Sequence, residues 1–579
     1  MNGGRLIAEI LLKHDVEHLF TLCGGHISPI LTEANRLGVR IVDVRHEATA
    51  VFAADAVSRL TRRPGVAAVT AGPGLTNAVT ALKNAHMAQS PLVLLGGATA
   101  TFLKGRGALQ DIDQLSLARS AVKWTARISR LRELGPVLQR AFQESQQGVP
   151  GPVFVELPVD LLYEESIVKN WYADVTGGDS KPKSATQAAL RAYLKIHANR
   201  IFAGAQDIAP SEPLPIEYAH PNDGHVQKAV DLIMKSKRPL MIVGSQALQC
   251  PCTLQAMADS VGNLGIPVYL NGMARGLLGK THILQLKHRR KAALKQADLV
   301  ILAGVPADFR LNYGMELGGR TTLISVNRSP ADLTMNIRPK LAINADPGLF
   351  INELAQRVEV NRVDWSPWVQ SLKEREDRRN AEIIEQSGLP AGPINPIFLA
   401  RGIEDAMDDD RLIVVDGGDF VATASYVLRP NGPLTWLDPG VFGTLGVGAG
   451  FALGAKLIRP ESEVWLLYGD GSLGYSLAEF DTFARHGIPI IAVVGNDAGW
   501  TQIARDQVAI LKNDVGTVLN RTAYHEAAQG LGAKGILLDK PEQIPRVLKQ
   551  AKEAARAGHP VLINAHIGKT EFRKGSISI

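Results

Sequence analysis

Residues 464–500 read VWLLYGDGSLGYSLAEFDTFARHGIPIIAVVGNDAGW and carry the clearest indication of the fold class. An apolar run over residues 464–468 precedes a helical pattern over 477–486 and a second apolar run over 488–494. This order predicts a strand-helix-strand unit with two neighbouring parallel strands. Asp470 and Asp497 follow the two strands, and ligands of parallel sheets bind at this carboxyl edge.

The two carboxylates predict a site for a hard divalent cation that holds a diphosphate. Mg²⁺ prefers an octahedral shell of oxygen ligands and usually keeps substrate phosphates among them. Asp470 and Asp497 are 27 positions apart, and the crossover returns the second strand beside the first, so one ion can reach both. The alternative is an ordinary βαβ unit in which both Asp residues cap helices.

This pattern resembles the cofactor motif of the thiamin diphosphate enzymes, which include acetolactate synthases, pyruvate and benzoylformate decarboxylases and oxalyl-CoA decarboxylases. The resemblance implies thiamin diphosphate and Mg²⁺ as cofactors, with Asp470, Asp497 and the carbonyl of Gly499 as metal ligands. The family usually has Asn at the second position. Asp497 adds negative charge there and keeps a ligating oxygen.

A second motif, Arg45-His46-Glu47, lies where a strand enters a helix rich in small residues. The family carries the same three residues, and its Glu bonds the N1′ nitrogen of the cofactor's aminopyrimidine and shifts it to the imino tautomer. Taken alone, such a Glu is more often an acid that interacts with the dipole at a helix amino terminus. Its position ahead of Asp470, as in the family, favours the catalytic role for Glu47.

Three further segments match the family in order and residue type. Residues 70–77 (TAGPGLTN) resemble the turn of the pyrimidine-side domain, and residues 416–419 (DGGD) follow a strand where relatives contact the diphosphate. Residues 443–446 (GTLG) lie where the family places a bulky apolar side chain beneath the cofactor, which makes Leu445 the candidate for that role. Glycine-rich strand ends are usually turns, so the agreement in order carries the argument.

Two more residues are candidates for catalysis. Gln110 lies in a segment that resembles the Gly-x-x-Gln-Glu pattern of related carboligases and lyases, although a loop amide can also bond its own backbone. His26, on a glycine-rich loop, is either a polar group near substrate or a satisfied loop histidine. The predicted catalytic residues are Glu47, Gln110 and His26. The predicted cofactor-binding residues are Pro73, Asn77, Gly417, Gly418, Asp419, Gly443, Leu445, Asp470, Gly471, Ser472, Asp497, Gly499, Trp500 and Thr501.

The resemblance covers nearly the whole chain and is greatest to acetolactate synthase-like proteins that act as 2-hydroxyacyl-CoA lyases. Residues 24–29, 438–440, 495–502 and 572–577 carry it. It implies a lyase that cleaves a 2-hydroxyacyl-CoA thioester to formyl-CoA and an aldehyde, and that can run backwards as an acyloin condensation. It also implies a homodimer at least, with a homotetramer as the expected assembly. The alternatives are an acetolactate synthase, an oxalyl-CoA or 2-oxo acid decarboxylase, and a non-catalytic scaffold.

The central region carries the evidence on coenzyme A. Acetolactate synthases typically hold FAD there, whereas a coenzyme A lyase would use that domain for an ADP moiety. Residues 308–314 (DFRLNYG) resemble a segment of CoA-using relatives, and Arg275 with the basic run 287–291 could meet phosphates. Such a run is more often a solvated helix face. FAD or ADP is therefore possible in this domain without a catalytic role.

Composition narrows the class of protein. The chain has 579 residues, 45% of them hydrophobic, which is enough for several cores. The sequence contains no run of about 18 uncharged apolar residues, so no integral membrane segment is expected. Three cysteines are too few for a disulfide framework and are expected to be thiols, which suits the cytoplasm. The net charge of +6 is dispersed, which argues against nucleic-acid binding.

Strand-like runs alternate with helical patterns in three blocks, which predicts three Rossmann-like, doubly wound parallel-sheet domains. We expect a pyrimidine-binding domain over residues 1–164, a central domain over 225–354 and a diphosphate-binding domain over 393–579. Residues 355–392 are a charged linker expected to cross the surface. Residues 165–224 form an insertion with an amphipathic helix over residues 187–202, in which Leu190, Leu194 and Ile201 share one face. This helix either packs on a neighbouring domain or covers an acyl chain or a membrane surface.

Overall fold

The computed structural model describes residues 2–178, 180–204, 210 and 212–574. The chain divides into two compact units. The first comprises Met1–Ile216 with Gly440–Gly454, and the second comprises Glu217–Pro439 with Ala455–Ile579. The last part of the tail motif, residues 575–577, lies outside the described residues.

The first unit is built on one six-stranded parallel sheet with the strand order β2-β1-β3-β4-β6-β5. Strands β3, β4 and β6 are buried along their whole length, as expected for a parallel sheet covered on both faces. The strands are β1 (His18–Thr21), β2 (Arg40–Asp43), β3 (Gly65–Val69), β4 (Leu92–Ala98), β5 (Trp124–Arg127) and β6 (Pro152–Pro158). The helices are α1 (Gly3–Lys13), α2 (Ser28–Arg36), α3 (Glu47–Thr61), α4 (Pro73–Met87), α5 (Gln114–Arg119), α6 (Leu134–Gln146), α7 (Glu165–Val175) and α8 (Ala185–Ile201).

The second unit contains two further six-stranded parallel sheets. The first of these has the order β12-β11-β10-β7-β8-β9. Its strands are β7 (Pro239–Val243), β8 (Val268–Leu270), β9 (Gln285–Leu286), β10 (Leu299–Ala303), β11 (Thr322–Asn327) and β12 (Leu341–Asn344). Its helices are α9 (Asp223–Met234), α10 (Leu254–Asn263), α11 (Arg290–Gln296), α12 (Pro330–Leu333), α13 (Pro347–Arg357) and α14 (Ser366–Ser387).

The last sheet has the order β14-β13-β15-β16-β18-β17. Its strands are β13 (Arg411–Val415), β14 (Trp436–Leu437), β15 (Glu463–Gly469), β16 (Ile491–Asn496), β17 (Lys534–Leu538) and β18 (Val561–His566). The accompanying helices are α15 (Pro396–Ala406), α16 (Asp419–Val427), α18 (Asp470–Leu473), α19 (Glu479–His486), α20 (Thr501–Leu511), α21 (Tyr524–Gly530) and α22 (Ile544–Arg556). Helix α17 (Val447–Ile458) belongs to the first unit up to Gly454 and to the second unit from Ala455. The predicted fold class of three parallel α/β sheets is confirmed.

The segment expected to be a surface linker, residues 355–392, differs from the prediction. It contains the 22-residue helix α14, and Trp365 and Trp368 at its start are buried. Their indole N–H groups donate to the carbonyls of Ser236 and Pro239, both at 2.9 Å. Because a buried indole combines a large apolar area with one satisfied donor, these two side chains anchor α14 to the central sheet.

The predicted amphipathic helix of the insertion is α8. Leu194 and Ile201 are buried in the core of the first unit, so this face packs on protein. Leu190, predicted for the same face, is instead 37% exposed. The interpretation of α8 as a packed helix therefore agrees with the structure for two of its three predicted contact residues.

Two chemical properties of the chain complete the description. Cys250 and Cys252 form a disulfide, so the expectation that these residues are thiols is wrong, whereas Cys23 is free. Within the described ranges, no helix is both long enough and apolar enough to cross a lipid bilayer.

Candidate functional site

The carboxyl ends of three neighbouring strands of the second unit bring the diphosphate-side candidates together. Strand β15 pairs with β13 on one side and with β16 on the other, and Gly469 lies opposite Gly495. Asp470 directly follows β15 and Asp497 directly follows β16, as predicted. The run from Asp416 to Asp419 follows β13 on the same edge.

Two main-chain hydrogen bonds fix the carboxylate of Asp470. The Gly499 N–H donates to Asp470 Oδ2 at 3.0 Å, and the Gly471 N–H donates to Asp470 Oδ1 at 3.0 Å. The loop after β16 therefore reaches the carboxylate that follows β15. Asp470 is 2% exposed and Asp497 is 9% exposed, so neither is an ordinary surface acid.

The negative charges of this buried pair favour the binding of a cation. Burial, and secondarily repulsion by Asp497, raise the pKa of Asp470 to about 6, and burial raises the pKa of Asp497 as well. In the described part of the chain, no hydrogen bond ends on the carbonyl oxygen of Gly499. Two buried carboxylates beside a carbonyl with no hydrogen-bond donor form an oxygen donor set that fits Mg²⁺. Among the described residues, no group of three or more His, Cys, Asp or Glu side chains is arranged to hold a metal ion, so main-chain and phosphate oxygens would complete the shell.

Neighbouring side chains close this edge tightly. A Cβ on Gly471 would lie 2.6 Å from the Trp500 ring, so only glycine allows the indole to pack there. Thr501 is buried at the start of α20. The Ser472 hydroxyl bonds the carbonyls of Gly417 and Gly469 at 3.0 and 3.1 Å, so it joins two strand ends.

Asp419 has a different environment from the other predicted ligands. Its carboxylate accepts a hydrogen bond from Arg505 Nη2 at 2.6 Å, which neutralises it at the start of α16. Gly418, directly before it, has a φ of +112°, a conformation that favours glycine. A contact of this segment with a diphosphate would therefore come from main-chain N–H groups.

Three residues around this edge were not predicted from the sequence. Arg505 pairs with Asp419, and the Tyr524 hydroxyl donates to the carbonyl of Asp470 at 3.4 Å. Lys569 Nζ lies 3.3 Å from where a Cβ of Gly499 would be. Only Arg505 left a signal, because it lies one helical turn after Thr501. The other two come from distant segments.

The first unit gathers the remaining candidates around the amino end of α3. Glu47 is the first residue of this helix, and it is 5% exposed. Its Oε2 accepts a hydrogen bond from Asn77 Nδ2 at 3.0 Å. The predicted alternative, a simple helix-capping acid, describes its position but not this buried pairing with the turn of residues 70–77.

Gln110 and His26 lie at the same turn. Gly72 has a φ of +65°, and a Cβ there would meet the Gln110 carbonyl oxygen at 2.8 Å, so the two backbones touch. His26 Nδ1 lies 3.2 Å from Thr70 Oγ1, and burial lowers the pKa of His26, which favours the neutral imidazole. The first unit therefore brings Glu47, Asn77, Gln110 and His26 to one turn, with Pro73 at the start of α4.

The last two candidates belong to the first unit as well. Gly443 is exposed and has a φ of +65°, and Leu445 is half-buried. They lie in the connection that precedes α17. The partly exposed side chain of Leu445 is therefore accessible to a ligand.

A basic cavity of about 560 Å³ lies in the second unit, between α14, the segment 280–291 and the carboxyl end of α16. This volume is within the range of small-molecule sites, about 300–1,000 Å³. The Lys287 and His288 N–H groups both donate to Glu376 Oε2, which fixes the basic run at the cavity wall. The cations that line it are Arg275, Lys280, Lys287, Arg289, Arg290, Lys291, Lys373 and Arg429, against the acids Glu316 and Glu376.

The residues predicted to contact phosphate groups line this cavity. Arg275 and all five residues of the basic run line it, so the run is not simply a solvated helix face. Residues 308–314 lie behind it, because the Arg310 carbonyl accepts a hydrogen bond from Arg290. The Arg310 side chain is bound to Asp308 at 2.8 Å.

Comparison with known proteins places the chain. Three family profiles match it: the N-terminal TPP binding domain of thiamine pyrophosphate enzymes over residues 1–117, the central domain over 226–354, and the C-terminal TPP binding domain over 416–565. The chain is 48% identical to 2-hydroxyacyl-CoA lyase 2 of Homo sapiens, over 100% of this chain and 92% of that protein. It is 48% identical to 2-hydroxyacyl-CoA lyase 2 of Caenorhabditis elegans, over 100% and 91%. It is 32% identical to the acetolactate synthase large subunit IlvG of Mycobacterium tuberculosis, over 97% and 95%. Full-length identity to these relatives and the order of the three profiles agree with the three sheets, and the chain belongs to the thiamine pyrophosphate enzyme family.

Proposed function

We propose that this chain is a thiamin diphosphate-dependent carbon-carbon lyase that cleaves 2-hydroxyacyl-CoA to formyl-CoA and an aldehyde. The observation that carries the proposal is the 48% identity to 2-hydroxyacyl-CoA lyase 2 over the whole chain. The reaction balances without a further reactant, because the C1–C2 bond breaks, the hydroxyl proton leaves and C1 gains a proton. Each step is reversible, so the same site can condense the two products.

The basic cavity supports a coenzyme A thioester as the substrate. The nucleotide end of coenzyme A carries three phosphate groups, and the cavity presents eight cations against two acids. Arg290 Nε is buried there and has no hydrogen-bond partner among the described residues, so a phosphate oxygen would satisfy it. FAD in this region, as expected for an acetolactate synthase, remains the alternative ligand. The acetolactate synthase relative is 32% identical and supports that second candidate function.

On the diphosphate side, we assign the metal to Asp470, Asp497 and the Gly499 carbonyl. Their burial and mutual repulsion favour a divalent cation, and Mg²⁺ bound there would bridge the protein to a diphosphate. The main-chain groups of Gly417, Gly418 and Asp419 would meet the diphosphate. Gly471, Ser472, Trp500 and Thr501 shape the edge around it.

On the pyrimidine side, we assign proton control to Glu47. Thiamin diphosphate, when bound, supplies an electron sink for the bonding pair of the broken C–C bond. Asn77 holds the Glu47 carboxyl at 3.0 Å, in a place shielded from water. Gln110 and the neutral His26 would hydrogen-bond the substrate hydroxyl or carbonyl, with Pro73, Gly443 and Leu445 packing against the cofactor.

A homodimer is the minimum assembly that we propose, and a homotetramer is the expected one. Both rest on resemblance to the family. Light scattering of the purified protein at several concentrations would determine the mass, and a monomer that retains full activity would overturn the proposed assembly.

One incubation tests the activity. The purified protein, with thiamin diphosphate and Mg²⁺, is offered a 2-hydroxyacyl-CoA or pyruvate, and products are identified by mass spectrometry. Formyl-CoA and an aldehyde are expected from the first substrate. The Glu47→Gln variant, purified in parallel, controls for contaminating activity. Acetolactate from pyruvate without thioester cleavage would overturn the proposal in favour of the second candidate.

A further inference from the structure

Two buried carboxylates, one at each end, hold the segment that carries Gln110, residues 101–114. Glu156 is at the end of β6 and Asp160 is in the turn that follows, four positions apart. Glu156 is 1% exposed and Asp160 is fully buried. A carboxylate buried this deeply needs several hydrogen bonds or charge partners, so its contacts indicate what it holds in place.

Asp160 holds the beginning of the segment. Its Oδ2 accepts from the Thr101 N–H at 2.8 Å, from the Thr101 hydroxyl at 2.5 Å and from the Tyr172 hydroxyl. The Thr101 hydroxyl also lies 2.6 Å from His197 Nε2 on α8. This end is thus tied to the insertion helices α7 and α8.

Gln114 holds the other end, and its side chain connects three strands. Its Oε1 accepts from the Gly72 N–H at 3.1 Å, after β3. Its Nε2 donates to the Gly97 carbonyl on β4 at 3.0 Å and to Glu156 Oε2 on β6 at 3.1 Å. The other oxygen of Glu156 accepts from Arg127 Nε, which keeps this carboxylate turned toward both partners.

The same contacts fix Gln110. The backbone of Gly72, which Gln114 binds, touches the backbone of Gln110. Between the two ends, Lys104 Nζ lies 2.9 Å from Asp111 Oδ1 and 3.9 Å from Glu156 Oε2. The backbone of Gly72 therefore contacts both Gln110 and Gln114. Because of these contacts, Gln110 cannot shift without moving the turn that carries Pro73.

An amide is the side chain that this position requires. It accepts from one N–H and donates to two oxygens, while it is 1% exposed. An apolar side chain would leave the Gly72 N–H, the Gly97 carbonyl and Glu156 without their partner. A carboxylate would face Glu156 and the Gly97 carbonyl with negative charge.

We infer that Gln114, oriented by Glu156, is a positioning residue that fixes the Gly72–Pro73 turn and the Gln110 loop against one another. The inference rests on the proposed function, in which Pro73 and Gln110 serve the site. Gln114 touches neither substrate nor cofactor in this assignment. It acts through the main chain of Gly72 and through the loop that it closes.

The first test is Gln114→Met, which keeps the length and removes all three hydrogen bonds. Gln246→Met is the matched control, because Gln246 is a buried amide of the second unit that accepts from the Arg328 N–H and donates to Asn327 Oδ1, and it is not among the residues that line the basic cavity. Deuterium exchange of the cofactor-free protein is read on peptides from 70–78 and 100–114. Faster exchange in these peptides is expected for Gln114→Met and not for the control.

Kinetics provide the second readout. A small displacement of a positioned group can cost about 100-fold in rate, so we expect kcat of Gln114→Met to fall about 10- to 100-fold. KM for the acyl-CoA should change less than about threefold, because most of its binding energy comes from remote groups. The control should keep kcat within about twofold although both variants lose thermal stability. Unchanged exchange and unchanged kcat, or equal losses in the control, would overturn the inference.

A double-mutant cycle covers the case in which Gln114→Met does not fold. Gln114→Glu keeps the volume and the acceptor for Gly72 but faces Glu156, and Glu156→Gln in the same chain restores a donor to the pair. We expect the double variant to be more active than Gln114→Glu alone. We also expect the activity of Gln114→Glu to rise as the pH falls, because a proton shared between the two carboxylates then replaces the lost donor. Additive losses with no pH dependence would contradict the pairing. Exchange is measured without substrate, so it still tests the inference if the lyase assay fails.

Discussion

At the scale of single residues, Asp497 is where this chain departs from the usual family pattern. A second carboxylate beside Asp470 adds repulsion within the buried pair, and burial, followed by this repulsion, raises the pKa of Asp470 to about 6. The repulsion destabilises the cation-free protein and strengthens the attraction for a divalent ion. Asn at 497 would keep one oxygen ligand and remove this repulsion.

The metal assignment predicts a contrast between two substitutions. Asp470→Ala should abolish Mg²⁺-dependent binding of thiamin diphosphate, because the diphosphate loses its bridge to the protein. Asp497→Asn should retain binding, because the amide oxygen remains a ligand. Calorimetric titration with and without Mg²⁺ measures both. Asp231→Ala, on the exposed face of α9, is the control, and an Asp470→Ala protein with normal Mg²⁺-dependent affinity would remove the assignment.

The proton-control assignment concerns Glu47. Glu47→Gln should leave folding and cofactor binding largely intact, because an amide can still accept the hydrogen bond from Asn77. Turnover should fall about 10²- to 10⁴-fold, the usual cost of removing a general acid-base group. Steady-state rates at saturating thiamin diphosphate measure this, and near-normal turnover would refute the role.

At the scale of elements, the sequence predicts best where chemistry is local. The strands before Asp470 and Asp497, and the pairing of these strands, follow from two apolar runs and the helix between them. The hydrogen bond between Gln114 and Gly72 could not be predicted, because it joins residues 42 positions apart through a side chain. The burial of Trp365 and Trp368 was missed for a similar reason, since the charged composition of 355–392 conceals a helix with one anchored end.

A buried lysine in the wall of the basic cavity predicts that the affinity for a polyanionic ligand depends on pH. Lys287 Nζ donates to the Leu428 carbonyl at 2.6 Å. Burial, followed by the charges of Arg275 and Arg429, lowers the pKa of Lys287 to about 7. The carboxylates of Glu404 and Glu376 oppose this shift with smaller effects. A bound polyanion raises that pKa again, so binding takes up a proton above about pH 7. Affinity should therefore fall as the pH rises from about 7.5 to about 9, by at most tenfold per pH unit.

Titrations with 3′-phosphoadenosine 5′-diphosphate at several pH values test this slope, because the phosphates of this ligand are already ionised in that range. Lys287→Met should remove the part of the slope that proton uptake contributes. Lys280→Met, on the same cavity, is the control and should weaken binding while it keeps the slope. A slope that is the same in wild-type protein and Lys287→Met would show that Lys287 does not take up the proton.

At the scale of the whole molecule, the second unit combines the cavity with the candidate metal edge, and helix α16 belongs to both. Its first residue, Asp419, lies beside the diphosphate edge, and Tyr426 near its end lines the cavity. A helix rises about 1.5 Å per residue, so these seven positions span about 10 Å. The pantetheine arm of coenzyme A is long enough to cover such a distance from a nucleotide in the cavity.

This arrangement predicts how much of catalysis depends on the nucleotide end of the substrate. Binding energy from parts that do not react can be used to lower the barrier at the reacting bond. Wild-type protein should therefore cleave a 2-hydroxyacyl-CoA with a much higher kcat/KM than the same acyl group on pantetheine, which lacks the phosphates. Each charge-assisted contact is expected to contribute about 1.5–3 kcal/mol, or about 10- to 100-fold.

Arg289→Ala with Lys291→Ala removes two of the cavity's exposed cations and should reduce this preference, because it lowers kcat/KM for the acyl-CoA and leaves that for the pantetheine thioester unchanged. The preference should also shrink with increasing salt in the wild type and less so in the variant, since screening acts on the charges that remain. Arg362→Ala, an exposed arginine paired with Glu359, is the control and should alter neither substrate. Equal losses for both substrates would mean that these cations support the fold rather than the nucleotide, and the cavity would then no longer support a coenzyme A thioester.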